Sequence, residues 1–144
     1  MITVQQLLRD KGGQVYAIGP GATVYEGVAT MADKGVGALM VMESERMVGI
    51  FSERDYARKI VLKDRSSRDT LIRDIMSPRV ITVSPEASID DCMRLMTQHK
   101  FRHLPVVDGE RVVGMLTIGD LLKAIITEKQ SLIEQLEHYI HGSP

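Results

Sequence analysis

Tryptophan is missing from the 144 residues, and phenylalanine and tyrosine contribute only two and four. A core without large rings must be built from aliphatic and thioether side chains, and nine methionines are present to help build it. Methionine that merely fills the gaps of a small domain is the simpler reading; adaptable packing around a closing cleft is the other. Cysteine occurs once, at Cys92, which excludes an internal disulfide scaffold and suits a reducing compartment. Charge of either sign is not in excess. The net value of −1 gives a polyanion no special attraction, so nucleic-acid binding is not expected. No apolar run approaches membrane-spanning length, and the first residues lack a basic stretch followed by an apolar one. A cytoplasmic protein that neither enters a membrane nor binds nucleic acid is the expectation.

Catalytic patterns are equally scarce. There is no glycine-rich phosphate loop of the P-loop or dinucleotide type. His99, His103, His138 and His141 do not fall at metal-ligand spacing with Asp or Glu. His138 and His141 share a helix face, which near a chain end reads as surface. Cys92 has no Cys-x-x-Cys partner and lies on an apolar helix stripe, so it reads as inert. No catalytic residue, metal or catalytic cofactor is expected, and the chain does not read as an enzyme.

What is present is a duplicated pattern. Thr3 to Arg9 predicts a short lead-in helix broken at Gly12-Gly13, and Val15 to Ile18 a strand. Thr23-Val24-Tyr25-Glu26 is a capping box, followed by a helical stripe at Val24, Val28, Met31 and Ala32. Ala38–Met42 and Met47–Phe51 predict a hairpin, and Ser52 caps a helix to about Leu62. The pattern then returns after a polar stretch, Lys63 to Thr70. Leu71 to Met76 is a lead-in, Val80 to Val83 a strand, and Ser88 a weaker cap for a stripe at Ile89, Cys92, Met93 and Met96. Leu104–Val107 and Val112–Leu116 are strands joined across Asp108-Gly109. Thr117 starts a last helix, Leu121 to Ile140, with apolar residues at steps of three and four and Gly142-Ser143-Pro144 as its stop.

Shifting the sequence by 65 residues lays Pro20–Tyr56 on Pro85–Leu121 without a gap, with ten of 37 positions identical. Chance would match about one in fifteen to twenty, so this is an internal duplication. Each unit is strand–helix–strand–strand–helix, and about sixty residues make a marginal core alone. The fold class is therefore α/β (α+β): two pseudo-symmetric repeats packed sheet to sheet. Residues 1–64 are the first repeat with its lead-in, 65–126 the second, and 127–144 a helical extension.

Both repeats end on Gly-x-x-Ser/Thr-x-x-Asp: Gly49 to Asp55 and Gly114 to Asp120. A hydroxyl and a carboxylate at that spacing can simply cap a helix, a contribution of about 1 kcal/mol. They can also face a phosphate and a ribose. Spacing alone favours the cap.

These units, the Pro-x-Ala-Ser/Thr turns, the run Arg102-His103-Leu104-Pro105-Val106 and the terminal Ser/Thr-x-x-Asp together resemble a tandem pair of CBS domains, the cystathionine β-synthase regulatory module. The stretch from Ser52 to Lys59, with Arg65-Ser66-Ser67 and Asp74-Ile75-Met76, is similar to free-standing two-CBS proteins of bacteria and plant organelles. The resemblance implies an adenine nucleotide (AMP, ATP or NAD(H)) in the cleft between the repeats, as regulatory ligand rather than catalytic cofactor. It assigns phosphate and ribose contacts to Thr117 and Asp120 in one half-site and to Ser52 and Asp55 in the other. Arg102 and His103 would meet phosphate beside the second. Repeat one has uncharged Gly37-Ala38 there, leaving Arg54 or Arg58 to supply charge. Adenine would lie against Tyr16 and Ala17 with Leu39 and Met40 in one half, and Ile81 and Thr82 with Leu104 and Pro105 in the other, with Ala22, Ala38 and Ala87 as further binding positions. The implied role is a sensor acting on a partner protein, assembled as a homodimer. The alternative is a ligand-independent dimeric scaffold whose C-terminal helix recruits a partner enzyme.

Overall fold

The structure, a computed structural model, describes residues 2–140. The chain forms two compact bodies. The first comprises Gln14–Ile81 and Gly109–Val113; the second gathers the chain up to Gly13, Thr82–Asp108 and the chain from Gly114 onward.

In the first body, β1 (Ala17–Ile18) is shorter than the expected Val15–Ile18. It runs parallel to β2 (Ala38–Glu43), Ala17 opposite Met40 and Ile18 opposite Val41. β3 (Arg46–Ser52) returns antiparallel to β2, with a register shift between Val41 and Met42. Helix α2 (Val24–Lys34) begins at Thr23, whose hydroxyl accepts from the Glu26 amide at 3.1 Å, and ends on left-handed Gly35. The expected capping box is thus half formed. Thr23 pairs instead across a bridge to Leu71, and the Val24 amide donates to the Thr70 carbonyl at 2.8 Å. Val24, Met31, Leu39, Val41, Phe51, Ile60, Ile72 and Ile75 form the core, aliphatic apart from one methionine and one ring.

The helix expected from Ser52 to Leu62 is a correction. One α-turn, α3 (Glu53–Asp55), passes into a π-helical turn over Tyr56–Val61 that closes with the Leu62 amide on the Ala57 carbonyl at 3.0 Å. Lys59 in this turn is held by the Ile75 carbonyl at 2.9 Å, at the end of α4 (Ile72–Ile75). Such wide turns are uncommon and cluster at functional positions.

The second body contains α1 (Val4–Lys11), α5 (Ile89–His99), β4 (His103–Asp108), β5 (Arg111–Thr117) from Gly114, and α6 (Ile118–Ile140). β4 and β5 pair as a two-stranded sheet. The strand expected at Val80–Val83 reduces to one parallel bridge, Val83 to Val106, because Pro105 stands where the first repeat has Met40 donating to Tyr16 and has no N–H to carry the ladder on to Ile81. Ser88 caps α5 through the Asp91 amide at 3.0 Å. Helix α6 runs to Ile140, as its pattern predicts; His141 and the expected stop at Gly142-Ser143-Pro144 lie outside the described residues.

The lead-in helices follow one bonding rule. The Ile72 and Arg73 amides of α4 donate to the Ala22 and Pro20 carbonyls, and the Val4 and Gln5 amides of α1 donate to the Ala87 and Pro85 carbonyls. The Pro-x-Ala turn is therefore a receiver for a helix N-terminus, whose first amides have no partner inside the helix. The lead-ins are exchanged relative to chain order: α1, which opens the sequence, sits on the second repeat, and α4 sits on the first.

Glycine serves this packing. A Cβ at Gly114 would lie 2.7 Å from Leu8 Cδ2, and one at Gly49 would lie 2.7 Å from Met76 Sδ and 3.0 Å from the Ser77 carbonyl oxygen. Both strand glycines let a lead-in lie directly on β3 or β5, next to the helix starts at Ser52 and Thr117.

Candidate functional site

Each helix start is built twice over. The first amide of α3, Glu53 N, donates to the Gly37 carbonyl at 3.0 Å, and the first amide of α6, Ile118 N, donates to the Arg102 carbonyl at 3.0 Å. The third amides are taken by the hydroxyls: Asp55 N donates to Ser52 Oγ at 3.2 Å, and Asp120 N to Thr117 Oγ1 at 3.1 Å. The carboxylates complete the boxes by accepting from Ser52 N at 3.0 Å and Thr117 N at 2.8 Å. Two of the first three amides at each helix start are therefore already satisfied. At α6 an anion meets the second position, Gly119 N. At Gly119 a Cβ would meet only Thr117 Oγ1, at 3.6 Å, so the backbone there is open to approach.

The two carboxylates differ. Asp55 has a side chain only 9% exposed. Its Oδ2 accepts from Ser52 N and from Ser52 Oγ at 3.1 Å. Its Oδ1 accepts from Ser77 Oγ at 3.1 Å and pairs with Lys59 Nζ at 3.1 Å. This carboxylate knots four donors from the strand end, the π-turn and the α4 exit. Asp120 is 24% exposed, and its bonds converge on Oδ2, from Thr117 N and from Lys11 Nζ. Lys11 also donates to the Met115 carbonyl at 2.6 Å. Burial pushes the Asp120 carboxyl up. Hydrogen bonds from Lys11 and Thr117, with the lysine's charge, outweigh that and hold it below its ordinary value.

Around these starts the expected residues divide. In the second body, Thr82 and Arg102 are exposed, Ala87 and His103 half-buried, and Leu104 and Pro105 buried, with the Pro105 carbonyl accepting from Val83 N at 3.1 Å. In the first body, Ala17 and Arg54 are exposed and Tyr16, Ala22 and Ser52 half-buried, whereas Ala38 and Leu39 are buried. Leu39 and Leu104 have no exposed surface, so both side chains serve the core. The Ala22 and Ala87 carbonyls belong to the lead-in helices.

Four participants escaped the sequence reading: Lys11, Lys59, Ser77 and Gly119. Only Lys59 carried a local signal, four residues after Asp55 on one helix face. Among the described residues no cluster of His, Cys, Asp and Glu could hold a metal. Burial, then the neighbouring Asp91, push the buried Cys92 thiol up to about 11, far from thiolate reactivity at neutral pH.

The CBS domain family pattern matches residues 4–62 and 72–127. The chain belongs to the CBS domain family. Among its CBS relatives, the mitochondrial CBS domain-containing protein CBSX3 of Arabidopsis thaliana is 41% identical over 125 residues. That alignment covers 83% of this chain, and the chain spans 61% of that relative. A CBS-domain protein from Burkholderia ambifaria shares the fold at TM-score 0.85 and 46% identity, covering 88% of this chain and 95% of that one. The CBS pair of protein MJ0100, at 21% identity and TM-score 0.78, covers 89% of this chain and 98% of that chain, and is likewise a match of fold. It was crystallised with 5′-methylthioadenosine and S-adenosyl-L-methionine. No helix among the described residues is long and apolar enough to cross a membrane.

Proposed function

We propose that this CBS pair is a non-catalytic regulatory module, at home in the cytoplasm, that binds an adenine nucleotide (AMP, ATP or NAD(H)) and passes its state to a partner protein. The supporting observation is the second half-site. Thr117, Asp120 and open Gly119 share one helix start, with the Lys11 ammonium beside them. Ribose hydroxyls donate to Asp120 in competition with Lys11. Once displaced, Lys11 is a cation placed for phosphate, and on the same body Arg102 lies just before β4 and His103 opens it. The adenosine ligands of the MJ0100 pair fit this chemical class. The first half-site is the weaker binder, because a ribose there must break into a carboxylate that four donors already hold.

A ligand changes the module's output only by binding one arrangement better than another. The regulated form is a homodimer. The domain scheme of 1–64, 65–126 and 127–144 describes the duplication, with the extension available to the second copy or to an effector.

Isothermal titration calorimetry with AMP, ATP and NAD(H) tests the proposal. Saturable binding that Asp120→Ala weakens at least tenfold supports it. Absence of heat at millimolar ligand, for folded protein, rejects it in favour of the ligand-independent scaffold, a reading favoured by the bare apolar face of α6.

A further inference from the structure

From Ile126 to Ile140 every residue of α6 is exposed, a length of about 22 Å at 1.5 Å per residue. A solvated helical arm should be polar all round. This one is not: Leu132, Ile133, Leu136, Tyr139 and Ile140 are 55%, 54%, 52%, 83% and 75% exposed. Counting back along the same face, the seam is Leu122, Ile125, Lys129, Leu132, Leu136 and Tyr139, alternating steps of three and four, with Ile126, Ile133 and Ile140 along one flank.

We infer that this seam pairs with α6 of a second copy of the chain, running antiparallel. The seam reads the same from both ends about a point between Gln130 and Ser131. Leu122 then faces the partner's Tyr139, Ile125 the partner's Leu136, and Lys129 the partner's Leu132. On the flanks Ile126 meets the partner's Ile133, while Glu128 meets the partner's Gln135, whose amide can donate to a carboxylate. Charge decides the direction. In a parallel pair in register the two Lys129 ammoniums would share one layer of the seam, a like-charge contact that only the flanking Glu128 carboxylates could offset. Antiparallel pairing surrounds each Lys129 stem with leucine and lets the ammonium reach outward. An anionic membrane is a poorer occupant, since the polar face carries Glu128, Glu134 and Glu137 against Lys123.

The inference rests on the homodimer proposed above, and two measurements on the full chain separate the two. Sedimentation equilibrium compares wild type with Leu132→Glu/Leu136→Glu. These side chains are exposed, so the bodies should keep their melting behaviour while the dimer dissociation constant rises about 100-fold. A monomeric wild type overturns both ideas. A dimer indifferent to both glutamates keeps the homodimer but overturns α6 as its seam. Direction is read by oxidative cross-linking of Leu122→Cys and Tyr139→Cys, with Cys92 buried and out of reach. Antiparallel pairing gives a cross-link only when the two variants are mixed. Cross-linking of either variant with itself means a parallel seam and refutes the inference.

Discussion

Replacing Asp55 with alanine should unfold this protein far more readily than replacing Asp120, although the two residues hold equivalent places in the repeat. At Asp55 the substitution strands Ser52 N and Ser77 Oγ around a carboxylate site only 9% exposed and leaves the Lys59 ammonium with the Ile75 carbonyl alone. Removing one partner from a buried charge network costs about 3–5 kcal/mol. Lys59 is 42% exposed and can rehydrate, which favours the lower end. At Asp120 the lost items are a cap and an ion pair whose side chains are 24% and 30% exposed. A cap is worth about 1 kcal/mol and a solvent-screened pair about 0–1 kcal/mol. At roughly 2–4 °C per kcal/mol for a chain of this size, a loss of about 3–4 kcal/mol in Asp55→Ala should lower the melting temperature by about 6–16 °C, and about 1–2 kcal/mol in Asp120→Ala by about 2–8 °C. Urea unfolding followed by circular dichroism measures both. Equal losses, or a loss below about 1 kcal/mol at Asp55, would refute the idea that the first carboxylate is a structural knot.

Three further outcomes are expected. Lys11→Met should narrow the difference in affinity between AMP and adenosine by about tenfold, since the lysine supplies the phosphate contact; an unchanged ratio in calorimetry assigns Lys11 to packing alone. Asp120 has a depressed folded pKa, so its contribution is complete above the unfolded value of about 3.9 and is lost as pH falls further, through the folded value. Urea titrations from pH 6 to pH 3 should therefore show the stability gap between wild type and Asp120→Asn closing only at the acid end; a gap independent of pH removes the ion-pair account. Gly49→Ala should destabilise by about 1–3 kcal/mol and Gly114→Ala by less, because the added methyl meets the fixed Ser77 carbonyl in one case and only the mobile tip of Leu8 in the other. Equal costs by thermal melting would contradict that distinction.

The duplication made most of the fold legible. The stripes of α2 and α5, the two hairpins and the unbroken run of α6 all follow from spacing, and each appears where spacing puts it. The failures have identifiable causes. Val80–Val83 has strand composition, but Pro105 across from it has no amide to extend the ladder, so it forms one bridge. The π-turn after Asp55 depends on Lys59 being held by Ile75, sixteen residues away, which no window of sequence reveals. Of the candidate site, the Ser/Thr–Asp grips were readable because they recur. Lys11 and Ser77 were not, because they approach from lead-in segments 109 and 22 residues distant from the carboxylates they serve.

The exchanged lead-ins also set an order of events during synthesis. The first body draws on one nearly continuous stretch, Gln14–Ile81, and most of its contacts can form while the ribosome is still translating. The second body must keep the earliest residues, Val4 to Lys11, waiting until the Pro85 and Ala87 carbonyls exist to receive them. Its closure spans the whole length of the first body, and long-separation contacts are the slow ones. Trimming a dozen residues from the front of the chain would thus leave the first repeat intact and cripple the last one made. The opening helix cannot take its place until the second Pro-x-Ala turn has been made.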